Sequence, residues 1–262
     1  MTTVHDFRFR RLLRDLLDFV YPPVCQICRQ TFESEDDNIW ICPACSSTLE
    51  ILTQPHCPIC RNILPDPEKH CSGCRKPTLL KWVFSLGIYD GHFSHLIKAF
   101  KYEGKVELGK MLGDRLGEQL ARLPHSSRIN AVCAVPIHKK KESRRGFNQT
   151  EIVAARVARA LNCEFLPDAL EQTRRNLDQI GLSVEERYHN VRGIFDCPEP
   201  EVIMGKEVLL VDDVTTSGAT LNSAAVTLIG AGAKSVAAAT IAMALEDGLE
   251  PHALYALMNE EF

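Results

Sequence analysis

Val208 to Thr220 read VLLVDDVTTSGAT: an apolar run, two adjacent carboxylates, then a hydroxyl-rich turn. The run suits a strand buried on both faces, and it delivers Asp212 and Asp213 to the strand's carboxyl end. The turn, Thr215, Thr216, Ser217, Gly218, Ala219 and Thr220, offers backbone N–H groups, hydroxyls and the start of a helix, a combination that cradles a dianionic phosphate. The carboxylates lie one short reach away and suit ribose hydroxyls, directly or through Mg²⁺. A phosphate and a diol at that separation describe a ribose 5-phosphate. An ordinary strand–turn–helix with acidic caps is the plain alternative.

The cysteines carry a second kind of chemistry. Of 11, eight form four C-x-x-C pairs: Cys25/Cys28, Cys42/Cys45, Cys57/Cys60 and Cys71/Cys74. One such knuckle aims two thiolates at an ion and two complete a tetrahedral site, so four knuckles imply two zinc ions. The intervals between knuckles, 13, 11 and 10 residues, do not dictate which ones pair. Sequential pairing, giving two ribbons in tandem, is favoured, and a crossed arrangement competes with it. With every thiolate committed, no coordination position stays open, so the zinc is structural. A redox dithiol and an iron–sulfur cluster are the rival uses. His56 and His70 adjoin ligand cysteines and are expected to be surface neighbours.

A third stretch, IHKKKESRRGFNQTE, follows Pro136 and is the most basic in the chain. A solvated charged loop is its bland reading. If it opens at the same sheet end as the phosphate turn, Lys139, Lys140, Arg144 and Arg145 would stabilise a departing pyrophosphate. The same strip, with Gly146, Phe147, Asn148 and Gln149, also suits single-stranded nucleic acid. By contrast, Gly230-Ala-Gly-Ala-Lys-Ser only imitates a nucleotide-binding fingerprint; it lacks the last glycine and sits between a helix and a strand.

These groups must be positioned by alternating strands and helices. Trp82, Phe84, Leu86 and Ile88 alternate as a strand; helical patterns cover Phe93 to Tyr102, Val106 to Leu123, Ile152 to Leu161 and Leu221 to Ile229. Apolar strands are expected at Ile129 to Val135, Glu207 to Val211 and Val236 to Leu245. That alternation predicts an α/β fold, a parallel sheet flanked by helices. Before it lies the Cys-rich block, which has too little apolar periodicity to fold on burial alone. At the start, Phe9, Leu12, Leu13, Leu16, Leu17 and Val20 share one helical face, ended by Pro22-Pro23. The expected organisation is an N-terminal amphipathic helix over 1–23, a double zinc ribbon over 24–77 and the α/β domain over 78–262.

Composition sets limits on function. A formal charge of −4 over 262 residues excludes a protein that coats nucleic acid through bulk charge, while leaving a local contact open. No apolar stretch approaches the roughly 20 residues of a membrane span, and Arg14, Asp15 and Asp18 interrupt the first apolar run. A cytoplasmic, thiol-reducing setting follows, in which paired cysteines act as metal ligands.

The Val208 to Thr220 string resembles the 5-phosphoribosyl-1-pyrophosphate (PRPP) loop of type I phosphoribosyltransferases. Taken with the knuckles, Lys98-x-x-Lys101-Tyr102, Arg144-Arg-Gly-Phe-Asn-Gln149 and Gln179-x-x-Leu182-Ser-x-x-x-Arg187-x-x-Asn190-Val-x-x-x-Phe195, the chain resembles the ComF family of competence proteins and GntX-like relatives over about 24 to 245. The resemblance implies a double zinc ribbon, with four cysteines to each zinc, ahead of a type I phosphoribosyltransferase-like domain, and a role in uptake of transforming DNA. PRPP or a nucleotide with Mg²⁺ would be the ligand, single-stranded DNA and a competence helicase the further partners. Two functions remain open: a PRPP-dependent transferase with an unknown nitrogenous acceptor, and a non-enzymatic module that senses PRPP or a nucleotide and handles single-stranded DNA or a partner helicase. Trp82 to Tyr102 and Arg174 to Phe195 are the candidate segments for a hood over an acceptor base. A zinc-ribbon transcription factor would leave the phosphate loop unexplained.

Overall fold

The computed structural model describes residues 21–33, 39–64, 66, 71, 78–137, 143, 146–173 and 193–245. The expected leader helix, Cys74, the basic side chains at 139–141, 144 and 145, and most of the segment 174–195 lie outside them. The chain divides into two compact units, Met1–Leu49 and Glu50–Phe262, so the ribbon span of 24–77 runs through both.

In the first unit a tight turn carries the first knuckle: Cys25 N–H donates to the Gln30 carbonyl at 2.9 Å and Arg29 N–H to the Cys25 carbonyl at 2.9 Å. The second knuckle opens a short helix, α1 (Pro43–Ser47), where Pro43 occupies a first-turn position that needs no N–H. Cys42 caps it, its sulfur accepting from Cys45 N–H at 3.4 Å.

In the second unit the strands are β1 (Leu80–Ile88), β2 (Ala131–Ala134), β3 (Glu164–Phe165), β4 (Glu171–Gln172), β5 (Phe195–Asp196), β6 (Glu207–Thr215) and β7 (Ser235–Met243). The helices are α2 (Gly91–Glu103), α3 (Val106–Ala121), α4 (Gln149–Leu161) and α5 (Ala219–Gly230). Five strands form one sheet in the order β1-β7-β6-β2-β3, every pair parallel, as the apolar runs predict. Helix cover on both faces explains why β1, read as alternating, is buried at every position except Lys81. It also accounts for the wholly buried stretch Val208 to Val211 of β6.

Two close approaches pack this layer. On α3, Gly113 and Gly117 face α4; a Cβ at Gly117 would stand 2.5 Å from Ala160 Cβ, and one at Gly113 2.9 Å from Arg156 Cβ. The helices therefore meet backbone to side chain, and Arg156 closes the seam with two 2.6 Å bonds to the Asp114 carboxylate. The chain ahead of β1 runs antiparallel along that strand's other side. Leu52 N–H donates to the Leu86 carbonyl at 2.9 Å, and His56 and Val83 exchange backbone bonds of 2.8 and 3.0 Å. The short antiparallel pair β4–β5, with Thr173 N–H on the Ile194 carbonyl at 2.8 Å, holds residues 171–173 beside residues 194–196.

Candidate functional site

The direction of the sheet order reverses between β2 and β6. From β2 the chain moves outward to β3, whereas from β6 it moves the opposite way to β7. At such a reversal the connecting loops diverge, and open parallel sheets bind their ligands there. Val135 N–H donates to the Val211 carbonyl at 2.8 Å, so the loop that leads into the basic stretch starts beside Asp212.

Asp212 and Asp213 sit half-buried near the end of β6. Asp213 N–H donates to Asp212 Oδ1 at 2.7 Å. Burial first, and the adjacent Asp213 charge second, push the Asp212 carboxyl up to about 8. Asp213 has a cation of its own: Lys101 Nζ, from the last turn of α2, lies 2.7 Å from its Oδ2. Burial works to lower the Lys101 pKa, but Asp213 and Asp212 outweigh it and the net shift is upward. The pair is thus asymmetric: Lys101 lies against Asp213, while Asp212 favours the protonated form.

The turn that follows ends in Gly218, which caps α5 with φ 73°, a left-handed conformation that glycine adopts without strain. Ser217 Oγ accepts from Ala219 N–H at 3.4 Å. No acidic residue occupies the first turn of α5, so its N-terminal dipole favours an anion. Thr216, Ser217 and Gly218 therefore form the turn beside the carboxylate pair, between Thr215 at the end of β6 and Ala219 and Thr220 in the first turn of α5. Two contacts from the third knuckle reach it: Arg61 Nη2 donates to the Thr216 carbonyl, and a Cβ at Gly218 would stand 3.1 Å from the Pro58 carbonyl.

The RRGFNQ motif divides in two. Phe147 stacks on Phe100 of α2 with centroids 6.1 Å apart. Asn148 caps α4, accepting from Thr150 N–H at 3.1 Å, while its amide donates to Glu151 at 2.9 Å. Thr150 Oγ1 donates to the Val135 carbonyl at 2.6 Å, tying the end of the loop to its beginning. Asn148 and Gln149 are buried, and Asn148 anchors the end of the loop through its cap on α4. Trp82 is likewise core, and the Trp82 to Tyr102 segment is sheet strand and covering helix, not a separate hood.

The sulfurs gather in chain order. Those of Cys25, Cys28, Cys42 and Cys45 lie within 4.8 Å of one another, as do those of Cys57, Cys60 and Cys71. Cys28 and Cys42 sulfurs are 3.8 Å apart, and tetrahedral zinc with 2.3 Å bonds separates its sulfurs by about the same distance. Burial and the three surrounding sulfurs push Cys45 up to about 12, so this cluster ionises fully only around a cation. Both clusters fit zinc ribbons. His56 is not a surface neighbour: it is 1% exposed, held by its backbone bonds to β1.

Two relationships have no local signal in the sequence. Lys98-x-x-Lys101-Tyr102 stands out as a motif, but nothing in it matches its cation to Asp213. The Arg that follows the Cys57/Cys60 knuckle gives no hint of reaching the phosphate turn.

Residues 148–260 match the family model described as phosphoribosyl transferase domain, and residues 16–75 that of the double zinc ribbon domain. The fold and the cysteine clusters thus define a double zinc ribbon joined to a phosphoribosyltransferase domain. Among its homologues, DNA utilization protein YhgH of Escherichia coli (strain K12) is 28% identical over 82% of this chain and 94% of its own. Competence protein F of Haemophilus influenzae is 29% identical over 70% and 81%, and competence protein ComFC of Streptococcus pneumoniae 26% over 81% and 96%. The family resemblance carried by the motifs is borne out. Among solved structures, glutamine PRPP amidotransferase from B. subtilis aligns with 55% of this chain and 30% of its own, at 21% identity and a TM-score of 0.39. Among the described residues, no helix is long and apolar enough to cross a membrane.

Proposed function

We propose that this chain binds PRPP or a ribose 5-phosphate nucleotide and transfers the phosphoribosyl group to a nitrogenous acceptor, in the service of DNA uptake or utilisation. The observation that carries it is the pairing of Asp212 and Asp213 with the Thr215 to Thr220 turn at the reversal of the sheet order. The names of its relatives, competence protein and DNA utilization protein, supply the setting.

The chemistry asks for positioning and charge, not for a nucleophilic side chain. Thr215 to Thr220 hold the 5-phosphate. Asp212 and Asp213 take the ribose diol, with Lys101 Nζ at 2.7 Å from Asp213 Oδ2 holding that carboxyl in place. The bond from the anomeric carbon to pyrophosphate breaks, a nitrogen of the acceptor bonds to that carbon, and the acceptor's proton leaves to solvent. Lys139, Lys140, Arg144 and Arg145 stabilise the departing pyrophosphate. Mg²⁺, when bound with PRPP, neutralises phosphate charge, and the carboxylates of Asp212 and Asp213 are oxygen donors of the kind it takes.

Calorimetry with PRPP and Mg²⁺ on wild type and on Asp212→Asn/Asp213→Asn tests the site; equal binding by both overturns it. Pyrophosphate release, screened over purine, pyrimidine and glutamine-derived acceptors, then separates transferase from sensor. The second function, handling of single-stranded DNA, is favoured by the basic stretch and the relatives' names. Joint replacement of Lys139, Lys140, Arg144 and Arg145 should weaken strand binding and flatten its salt dependence.

A further inference from the structure

The second pair of knuckles does more than fold itself. Residues 56–63 repeat the turn of residues 24–31: an antiparallel bridge closes each (Val24 with Thr31, His56 with Ile63), and an arginine sits at positive φ after each second cysteine, Arg29 at 62° and Arg61 at 61°. Positive φ is costly for a side chain of this size, so each arginine is held there by its turn. The two arginines then diverge. Arg29 reaches back to Gln26 Oε1 at 3.1 Å. Arg61, 9% exposed, donates to the carbonyl of Thr216 in the phosphate turn. Beside it, Pro58, between Cys57 and Cys60, sets its carbonyl against Gly218.

The peptide unit is planar and trans, so a carbonyl and the N–H of the next residue point in opposite directions. With the Thr216 carbonyl held by Arg61, Ser217 N–H is turned away from the knuckle. A turn that presents N–H groups to an anion binds best when those groups are already aligned. A C-x-x-C knuckle, in turn, keeps its shape through its metal, because so short a turn has little core of its own.

We infer that Arg61 is a positioning residue that transmits metal occupancy of the Cys57/Cys60/Cys71 cluster to the phosphate turn, so that ligand affinity depends on that cluster being loaded. The inference rests on the ribose-phosphate site proposed above and adds its control. The metal-loaded knuckle holds the Thr216 to Gly218 backbone in its anion-binding form. Loss of the metal releases Arg61 and Pro58 together, and the turn relaxes.

The test uses the full chain as wild type, Arg61→Ala, Arg61→Lys and Cys60→Ser. Zinc per chain is measured by mass spectrometry, amide hydrogen exchange is followed at residues 216–220, and ribose 5-phosphate and PRPP with Mg²⁺ are titrated by calorimetry. Arg61→Ala should keep the wild-type zinc content, yet exchange faster across the turn and bind the phosphates about tenfold more weakly, the loss expected for one charge-assisted hydrogen bond. Arg61→Lys should recover part of both, and Cys60→Ser should lose one zinc and reproduce the faster exchange. Wild-type exchange and affinity in Arg61→Ala overturn the inference, and so does wild-type exchange in a folded, zinc-depleted Cys60→Ser. If the wild-type chain binds neither phosphate, the ligand assignment fails instead, and the exchange comparison alone decides the coupling.

Discussion

Lys101 Nζ and Asp213 Oδ2 are 2.7 Å apart, joining the last turn of α2 to the carboxyl end of β6 across the candidate site. Both side chains are largely buried, so neither charge has bulk water as a substitute partner. Lys101→Ala leaves two adjacent carboxylates without their cation and should cost roughly 2–4 kcal/mol. Asp213→Ala alone should cost a similar amount, and the double variant clearly less than the sum. Urea unfolding of the four proteins measures the coupling; strict additivity would mean that the pair is not formed in solution.

Asp212 should make stability depend on pH. Its carboxyl, raised to about 8, keeps a proton in the folded chain over a range in which an unfolded aspartate, near 4, has lost it. The folded state then binds more protons than the unfolded one between about pH 4 and about pH 8, so stability falls as pH rises through that window and levels off above it. Asp212→Asn removes this contribution. In magnesium-free buffer its advantage over wild type should grow with pH toward 8, whereas a constant difference means that Asp212 is ionised throughout.

Metal counting distinguishes the two ways of pairing the knuckles. Cys28 and Cys42 lie in one cluster. The double substitution Cys28→Ser/Cys42→Ser should therefore break one site and keep about one zinc per chain. Crossed pairing puts the two residues in different sites, and the count would then fall toward zero.

Gly117→Ala is expected to reverse the usual helix rule. Alanine is ordinarily the better helix former, yet here its Cβ would stand 2.5 Å from Ala160 Cβ on α4. Overpacking of that kind should destabilise the chain by roughly 1–3 kcal/mol. A raised urea midpoint would show that the two helices separate at little cost.

Gly218→Ala meets two obstacles together, a φ of 73° and the Pro58 carbonyl at 3.1 Å. A loss of about 1–2 kcal/mol in stability is expected, along with weaker ribose 5-phosphate binding by calorimetry. Unchanged affinity would separate the turn's conformation from its proposed ligand.

Much of this was legible in the chain because it follows from local pattern. The apolar run into Asp212-Asp213 gave β6 and the turn, and each helix that positions the site shows its periodicity in the sequence. Asn148-Gln-Thr-Glu151 also carries a capping pattern, which explains why α4 starts where it does. What stayed hidden depends on distance in space. Lys101 meets Asp213 only because β6 lies two strands in from β1, beyond β7, and Arg61 meets Thr216 only because the knuckle packs beside the phosphate turn. The glycines of α3 gave no period-based signal, since their role comes from the partner helix. His56 looked peripheral because its neighbours in sequence are metal ligands, but its backbone belongs to the margin of the sheet.

That margin has a practical meaning. β1 would otherwise end the sheet with a row of open N–H and carbonyl groups, the template on which strands from separate molecules pair and aggregate. Residues 52 to 56 lie antiparallel along part of that row and satisfy Leu86 and Val83. A fragment trimmed to begin at residue 78 would uncover it. Such a fragment, though it keeps Asp212, Asp213 and the turn after them, should self-associate through β1, so the α/β domain is best expressed with the knuckle that guards its flank.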